Sequence, residues 1–405
     1  MLLPDLNLFI QEKITERTES LCQRDLDKHS FPLYEAIRGK TVLVIGGGGT
    51  IGSNFIRCML PYQPGRLVVV DSSENALTEL TRDLRSSSQH LMPDSYTTYP
   101  MDYGDPVFYK MLTQKGPFNI VANFAAHKHV RSEKDVFSIE AMIRNNVVKT
   151  YRLLSVLSET GPPEHFFCVS TDKAAEPVNV MGASKQLMEN VIRSFSPYLK
   201  VSTARFANVA FSNGSLLDGY LQRLRKRQPL SCPSDVQRYF VSPMESGQIC
   251  LLACIIGKSG DIFFPKLHKE SLKYFKQITT DFLAFLDLEE VSCTSEEEAR
   301  DYPIHFEGSN TKYPVYYFKT NTSGEKLFEV FYNADDLVDF DRMSSLGIIS
   351  QSSHPSKEIL ERKIERLIEL FDQGDICKID VVKQIELLVP GFEHLETGKS
   401  LDQQM

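Results

Sequence analysis

Thr41-Val-Leu-Val-Ile-Gly-Gly-Gly-Gly-Thr-Ile-Gly52 decides the fold. An apolar, β-branched run feeds a glycine cluster and then a helix carrying Ser53, Phe55 and Ile56, which is the opening unit of a doubly wound, parallel α/β sheet. Gly46, Gly49 and Gly52 keep a Gly-x-x-Gly-x-x-Gly spacing, with Thr50 and Ile51 between the last two. That spacing lets the backbone turn tightly, approach a pyrophosphate and offer amides at a helix N-terminus. The next strand, Arg66-Leu-Val-Val-Val-Asp71, ends in an acid. A carboxylate there accepts hydrogen bonds from an adenosine ribose and repels a 2′-phosphate, so NAD is expected over NADP. The alternative is an Asp71 that caps the next helix, and Ser72 and Ser73 leave room for a phosphate.

Three further segments suit the carboxyl edge of the same sheet, where open α/β proteins bind ligands. Tyr99-Pro-Met-Asp-Tyr-Gly-Asp105 resembles a third-strand end, placing Asp102 and Tyr103 beside an adenine. Asn119-Ile-Val-Ala-Asn-Phe-Ala-Ala126 resembles a fourth strand, and His127-Lys128-His129-Val130 follows it directly. Ala125 and Ala126 would border the cofactor, while Lys128 and His129 would face the sugar; packing is the alternative for the histidines. Asn145 or Asn146, in Arg144-Asn-Asn-Val-Val-Lys-Thr150, is expected to brace the active-site backbone from the neighbouring helix, and spacing favours Asn146. His165-Phe-Phe-Cys-Val-Ser170 reads as a buried strand, so Thr171, Asp172 and Lys173 fall at its end. In the following helix Met181 and Lys185 are four residues apart and share a face, as do the partners of a Tyr-x-x-x-Lys pair, although the tyrosine is missing.

Taken together, these residues resemble the nucleotide-sugar 4,6-dehydratases of the polysaccharide-biosynthesis type, within the extended short-chain dehydrogenase/reductases. The resemblance spans roughly residues 40 to 270 and rests on Ala125-Ala-His-Lys-His-Val130, Ser170-Thr-Asp-Lys-Ala174 and Asn179-Val-Met-Gly-Ala-Ser-Lys185. It continues in Ala204-Arg-Phe-Ala-Asn-Val209, Ser212, Gly214-Ser215, Arg238-Tyr-Phe240 and Gly260-Asp-Ile-Phe-Phe-Pro265. Met181 is similar to members that act on nucleotide-linked N-acetylglucosamine. The carboxyl half, with Gly324-Glu-Lys and Phe392-Glu-His-Leu-Glu-Thr-Gly398, is most similar to dehydratases of legionaminic acid synthesis.

The resemblance implies an enzyme that moves a hydride from sugar C4 to NAD, eliminates the C6 hydroxyl and returns the hydride to C6. Lys173 is then the base at C5, Asp172 the acid at the departing C6 oxygen, and Thr171 the partner of the C4 oxygen. Such roles need a depressed Lys173 pKa and an Asp172 that retains its proton. Lys185 would hold the nicotinamide ribose, and Thr171 with Asp172, or a water, replaces the missing phenol. Arg205, Asn208 and Arg238 are expected to face a nucleotide diphosphate, because a guanidinium makes paired charged bonds to phosphate; a surface arginine is the alternative. Ser215 joins this substrate set. Ala207 replaces a glycine usual in that motif.

Composition agrees. The 405 residues are 42% hydrophobic and 24% charged, with net charge −8, which speaks against nucleic acid as the main partner. Arg223-Leu-Arg-Lys-Arg227 is the main basic cluster and reads as a solvated helix face. No membrane span, signal peptide or anchor is read, and a cytoplasmic location is expected. The eight cysteines lack metal-site spacing and read as reduced thiols, with no metal. Residues 1–40 suggest a helical arm, 41–205 the NAD-binding sheet, 206–350 a mixed α/β substrate-binding cap and 351–405 a helical tail whose apolar residues follow a 3.6 period. A homo-oligomer is expected. Two other functions fit part of the pattern: an NAD-dependent nucleotide-sugar 4-epimerase, and a non-catalytic NAD-binding regulator.

Overall fold

A computed structural model describes residues 5–394 apart from 88–91, 305–310, 321–328, 351–354 and 375. The Gly324-Glu-Lys motif and the end of Phe392–Gly398 lie outside the described residues.

The apolar runs form the strands of a single large sheet. These are β1 (Thr41–Ile45), β2 (Arg66–Asp71), β3 (Ser95–Pro100), β4 (Ile120–Asn123), β5 (His165–Val169) and β6 (Val201–Ala204). They pair in parallel in the order β3-β2-β1-β4-β5-β6, which is the Rossmann order. Register is fixed by Val42 opposite Leu67 and Ile120, and by Phe166 opposite Val201. Period-two alternation buries both faces. Val42, Val44 and Val69 point to one side, against helices Thr50–Met59 and Pro243–Ile256, while Leu43, Val68 and Val70 point to the other.

The sheet continues beyond residue 205, the boundary the sequence suggested. Asp261–Pro265 adds in parallel to β6, and Leu346–Ile349 and Val338–Asp339 close the edge antiparallel. The cap is therefore inserted between strands of the sheet. It contains the parallel strands Leu230–Pro233, Leu288–Cys293 and Thr311–Phe318 and the helices Leu216–Lys226 and Phe275–Phe285.

Both terminal segments pack on the body. Phe9, Ile10 and Ile14 enter the cap core beside Phe282 and Tyr220, whereas Cys22, Leu33 and Ile37 enter the sheet core. Asp25 accepts hydrogen bonds from Ser344 N and Ser345 N, both at 2.7 Å. At the other end, helices Lys357–Phe371 and Lys378–Leu388 place Leu360, Ile364, Leu367 and Ile385 in the core that also holds helix Val180–Ser194. Among the described residues no helix is long and apolar enough to cross a membrane.

Candidate active site

The carboxyl ends of β1, β4, β5 and β6 open into a cleft of about 1220 Å³ that runs from the glycine loop to Arg238 and Phe318 in the cap. Every expected site residue except Arg205 and Asn146 lines it.

At one end the glycine loop is built for close approach. Gly46 has φ +75° and donates its N–H to Val70 O at 2.7 Å; a Cβ there would lie 2.5 Å from Ala125 N. At Gly52 a Cβ would meet Gly46 O at 2.4 Å, so helix Thr50–Met59 begins directly against the turn. Asp71 receives Gly48 N on one oxygen and Ser73 N on the other, both at 2.9 Å. Helix Glu74–Ser86 is capped by Ser73, whose side chain accepts Ala76 N, so the alternative of Asp71 as the cap is replaced by an Asp71 aimed at the cleft.

Asp102 receives Lys149 Nζ on both oxygens at 2.7 and 2.6 Å, and Gly104 N at 2.6 Å. Burial disfavours its charge, but Lys149 and Gly104 outweigh that and hold the carboxyl below its usual range. Tyr103 borders the cleft, yet its hydroxyl is turned inward onto Asn145 O at 2.5 Å and its ring is buried. Asn146 lies in a π-turn, Arg144–Val148, and brackets His127 by accepting its N–H and donating to its carbonyl, both at 2.9 Å. The same amide donates to Ser184 Oγ at 3.0 Å, tying the β4 loop to helix Val180–Ser194.

Past β5, Thr171 caps a short turn, Asp172–Ala174. Thr171 Oγ1 donates to Asp172 Oδ1 at 2.8 Å, which also accepts Lys173 N at 2.9 Å and lies 3.4 Å from Lys173 Nζ. Helix Val180–Ser194 approaches this turn so closely that a Cβ on Gly182 would stand 2.6 Å from Lys173 O. Met181 and Lys185 lie on its cleft side, and Lys185 Nζ donates to Val169 O at 2.8 Å. Burial pulls the Lys185 pKa down.

Lys173 departs from expectation. Burial alone would lower its pKa, but Asp172 and Glu329 flank the ammonium and raise it, with Arg238 opposing them more weakly. Glu329 Oε1 is 3.5 Å from Lys173 Nζ and 4.0 Å from Arg238 Nη2. Nothing in local sequence points to Glu329; its role depends on a tertiary contact.

Arg205 is a correction. It is 4% exposed and lies under the sheet edge, where Nε and Nη2 donate to the two oxygens of Glu189 at 3.0 and 2.8 Å and Nη1 donates to Phe331 O at 2.7 Å. Its hydrogen-bonding fork is committed to a buried carboxylate, so it cannot face a diphosphate. Glu189 also accepts Ser170 Oγ at 2.6 Å, one residue before Thr171. The cleft instead has Arg223, Arg238, Asn208 and Ser215 on its cap side. The solvated-face reading of residues 223–227 holds for Arg225, Lys226 and Arg227, which are exposed, and fails for Arg223, one turn beyond Gly219 on the cleft side. Lys128 reaches across to Asn213 O at 3.0 Å, and His129 packs beside Gly214.

The polysaccharide biosynthesis protein family matches residues 42–349. The chain is similar to an uncharacterized membrane protein of Methanocaldococcus jannaschii, 29% identical over 82% of this chain and 96% of the relative. It is 25% identical to the capsular polysaccharide biosynthesis protein CapD of Staphylococcus aureus over 85% of this chain, and spans about half, 53%, of that longer protein. A UDP-glucose 4-epimerase of Rickettsia rickettsii is 26% identical over 86% of this chain and 95% of its own. In fold the chain is similar to Pen from Bacillus thuringiensis, with TM-score 0.63 and 18% identity over 82% of this chain and 98% of that one.

Proposed function

Because the chain belongs to the polysaccharide biosynthesis protein family, we propose that it is a nucleotide-sugar-modifying enzyme and, more narrowly, an NAD-dependent 4,6-dehydratase of a nucleotide-linked N-acetylhexosamine. The observation that carries this reading is the Thr171-Asp172-Lys173 turn, which sets a hydroxyl, a carboxylate and an amine side by side at the cleft wall.

The residues present fit a dinucleotide. The glycine loop leaves no room for a Cβ at Gly46 or Gly52, and Asp71 is fixed by two backbone amides with its carboxylate at the cleft, which suits a ribose and favours NAD over NADP. Asp102 and Ala125 continue this wall, and Lys185 would hold the nicotinamide ribose. When bound, NAD supplies a hydride acceptor for C4 and returns the hydride at C6.

The chain's own residues carry the protons. Thr171 Oγ1 orients the C4 oxygen and passes its proton to Asp172, to which it is already hydrogen-bonded. Asp172 delivers that proton to the C6 oxygen, which departs as water. Lys173, once its resting proton has passed to solvent, takes the C5 proton during elimination and returns a proton to C5 at the end, then regains its own from solvent, so protons balance over the cycle. Arg223 and Arg238 would receive the diphosphate in the place of Arg205.

A second reading, an NAD-dependent 4-epimerase, is favoured by the similarity to a UDP-glucose 4-epimerase over nearly the whole of that enzyme. It leaves Lys173 without a task, since epimerisation at C4 requires no proton from C5. The deciding experiment is mass spectrometry of the purified protein with NAD and UDP- or GDP-N-acetylglucosamine in deuterated solvent. A dehydratase yields a product lighter by one water that carries solvent deuterium. Unchanged mass with appearance of the galacto isomer makes the epimerase reading correct.

A further inference from the structure

We infer that Glu329 is a positioning residue of the active site, a carboxylate carried in from the C-terminal half that holds Lys173 against Asp172 and controls when its amine can give up a proton. The inference rests on the proposed function only in treating Lys173 as the proton carrier.

The geometry is specific. Glu329 is 6% exposed, with Oε1 3.5 Å from Lys173 Nζ. Its chain neighbours hold it there. Phe331, two residues on, has its carbonyl taken by Arg205 Nη1 at 2.7 Å, and its ring stacks on Phe264 with centroids 5.8 Å apart and planes 11° apart. Tyr239 packs on the same ring at 5.7 Å, next to Arg238, whose guanidinium lies 4.0 Å from Glu329. The Arg205–Glu189 pair thus does more than fill the core. It anchors the strand-end residue Ser170 on one side and the Glu329 segment on the other.

Lys173 therefore faces Asp172 from its own turn, Glu329 from the C-terminal segment and Arg238 from the short strand Gln237–Arg238. Arg205 faces Asp172 from beyond β6. With two acids against one neighbouring guanidinium, the ammonium form is held at rest, which is the reverse of what a C5 base requires. Its proton must leave before Lys173 can act. A substrate diphosphate that engages Arg238 would draw off the cation that opposes the two acids and so hold the ammonium form more firmly, because Arg238 is shared between Glu329 and the cleft.

The test is the rate at which Lys173 is acetylated by acetic anhydride at fixed mildly alkaline pH, read by peptide mapping with Lys149 as internal control. It needs no substrate. An anion within about 4–6 Å shifts a lysine by roughly one to three pH units, so the isosteric Glu329→Gln should raise the Lys173 rate at least about tenfold. Glu329→Asp should restore much of the slow wild-type rate. Arg238→Gln should slow Lys173 further, because it removes a cation that opposes the two acids. NADH binding, followed by its fluorescence, reports that each variant is folded. Unchanged Lys173 rates in Glu329→Gln and Arg238→Gln would overturn the inference. If the labelling responds as stated while no sugar loses water, Glu329 stands and the dehydratase reading falls.

Discussion

Replacing Arg205 by methionine separates a core ion pair from a phosphate ligand. Arg205 and Glu189 are both almost fully buried, and the guanidinium supplies two bonds to Glu189 and one to Phe331 O. Without it, Glu189 keeps Ser170 Oγ on Oε1 and the weaker attraction of Lys185 and Arg193, but loses its paired cation. Breaking a buried pair from one side costs about 3–5 kcal/mol, because the remaining charge stays out of water. The chain has no tryptophan, so urea unfolding is best followed by far-UV circular dichroism. Arg205→Met should lower stability by that amount, and adding Glu189→Gln should restore part of it, since the charge on Glu189 is gone while Asp336, 3.9 Å from Arg205 Nη1 in the wild type, stays without that cation. The double-mutant cycle isolates the pair. If Arg205→Met left stability within about 1 kcal/mol of wild type and weakened UDP binding tenfold, the side chain would have to face phosphate, and the buried-pair argument would be wrong.

The remaining predictions concern the cofactor end of the cleft. Gly46→Ala places a methyl 2.5 Å from Ala125 N at φ +75°, where neither backbone can yield cheaply. NADH affinity, titrated by fluorescence, should fall at least about tenfold with the secondary structure retained. Lys149→Met removes the partner of Asp102. Because the folded Asp102 pKa is depressed, its stabilisation is present above the unfolded carboxylate value of about 4 and disappears as pH falls through the folded value. The pair is partly exposed, so the variant should lose only about 0.5–1 kcal/mol at pH 7, and the difference from wild type should shrink in urea titrations below about pH 4.

The parts of the fold legible in the sequence are those where burial leaves a one-dimensional trace. β1, β2, β4 and β5 are covered on both faces and so read as unbroken apolar runs. Met181 and Lys185 are set four apart by helical geometry, and the glycine loop by the turn it makes. Sequence also shows Arg205 at a strand end, but not which way its side chain leaves the backbone. Its partner, Glu189, belongs to a helix 16 residues earlier and looks like a surface charge until that helix packs under β6. Arg223 was hidden in the opposite way, among neighbours that really are solvated. The strand Asp261–Pro265 has an apolar signature, but its return to the sheet after the cap depends on pairing with β6, which no local pattern encodes.

Position and protonation at the site come from different parts of the chain. The sheet and its helices fix position: Asn146 clamps both backbone groups of His127, Gly182 abuts Lys173 O, and Glu189 holds Ser170. None of these contacts involves the cap. Among the described residues, the charges that face Lys173 from outside its own turn are Glu329 and Arg238, and both lie beyond residue 205. In the proposed reading, a substitution of the Glu329 side chain itself would retune the proton carrier without displacing Thr171 or Asp172, whereas one at Arg205 would disturb both, because its pair with Glu189 anchors Ser170 and the Glu329 segment together. The missing phenol at position 181 fits the same division. Met181 is buried in the core, and in the proposed dehydratase reading the proton path runs instead along Thr171 and Asp172, whose hydrogen bond of 2.8 Å is already formed.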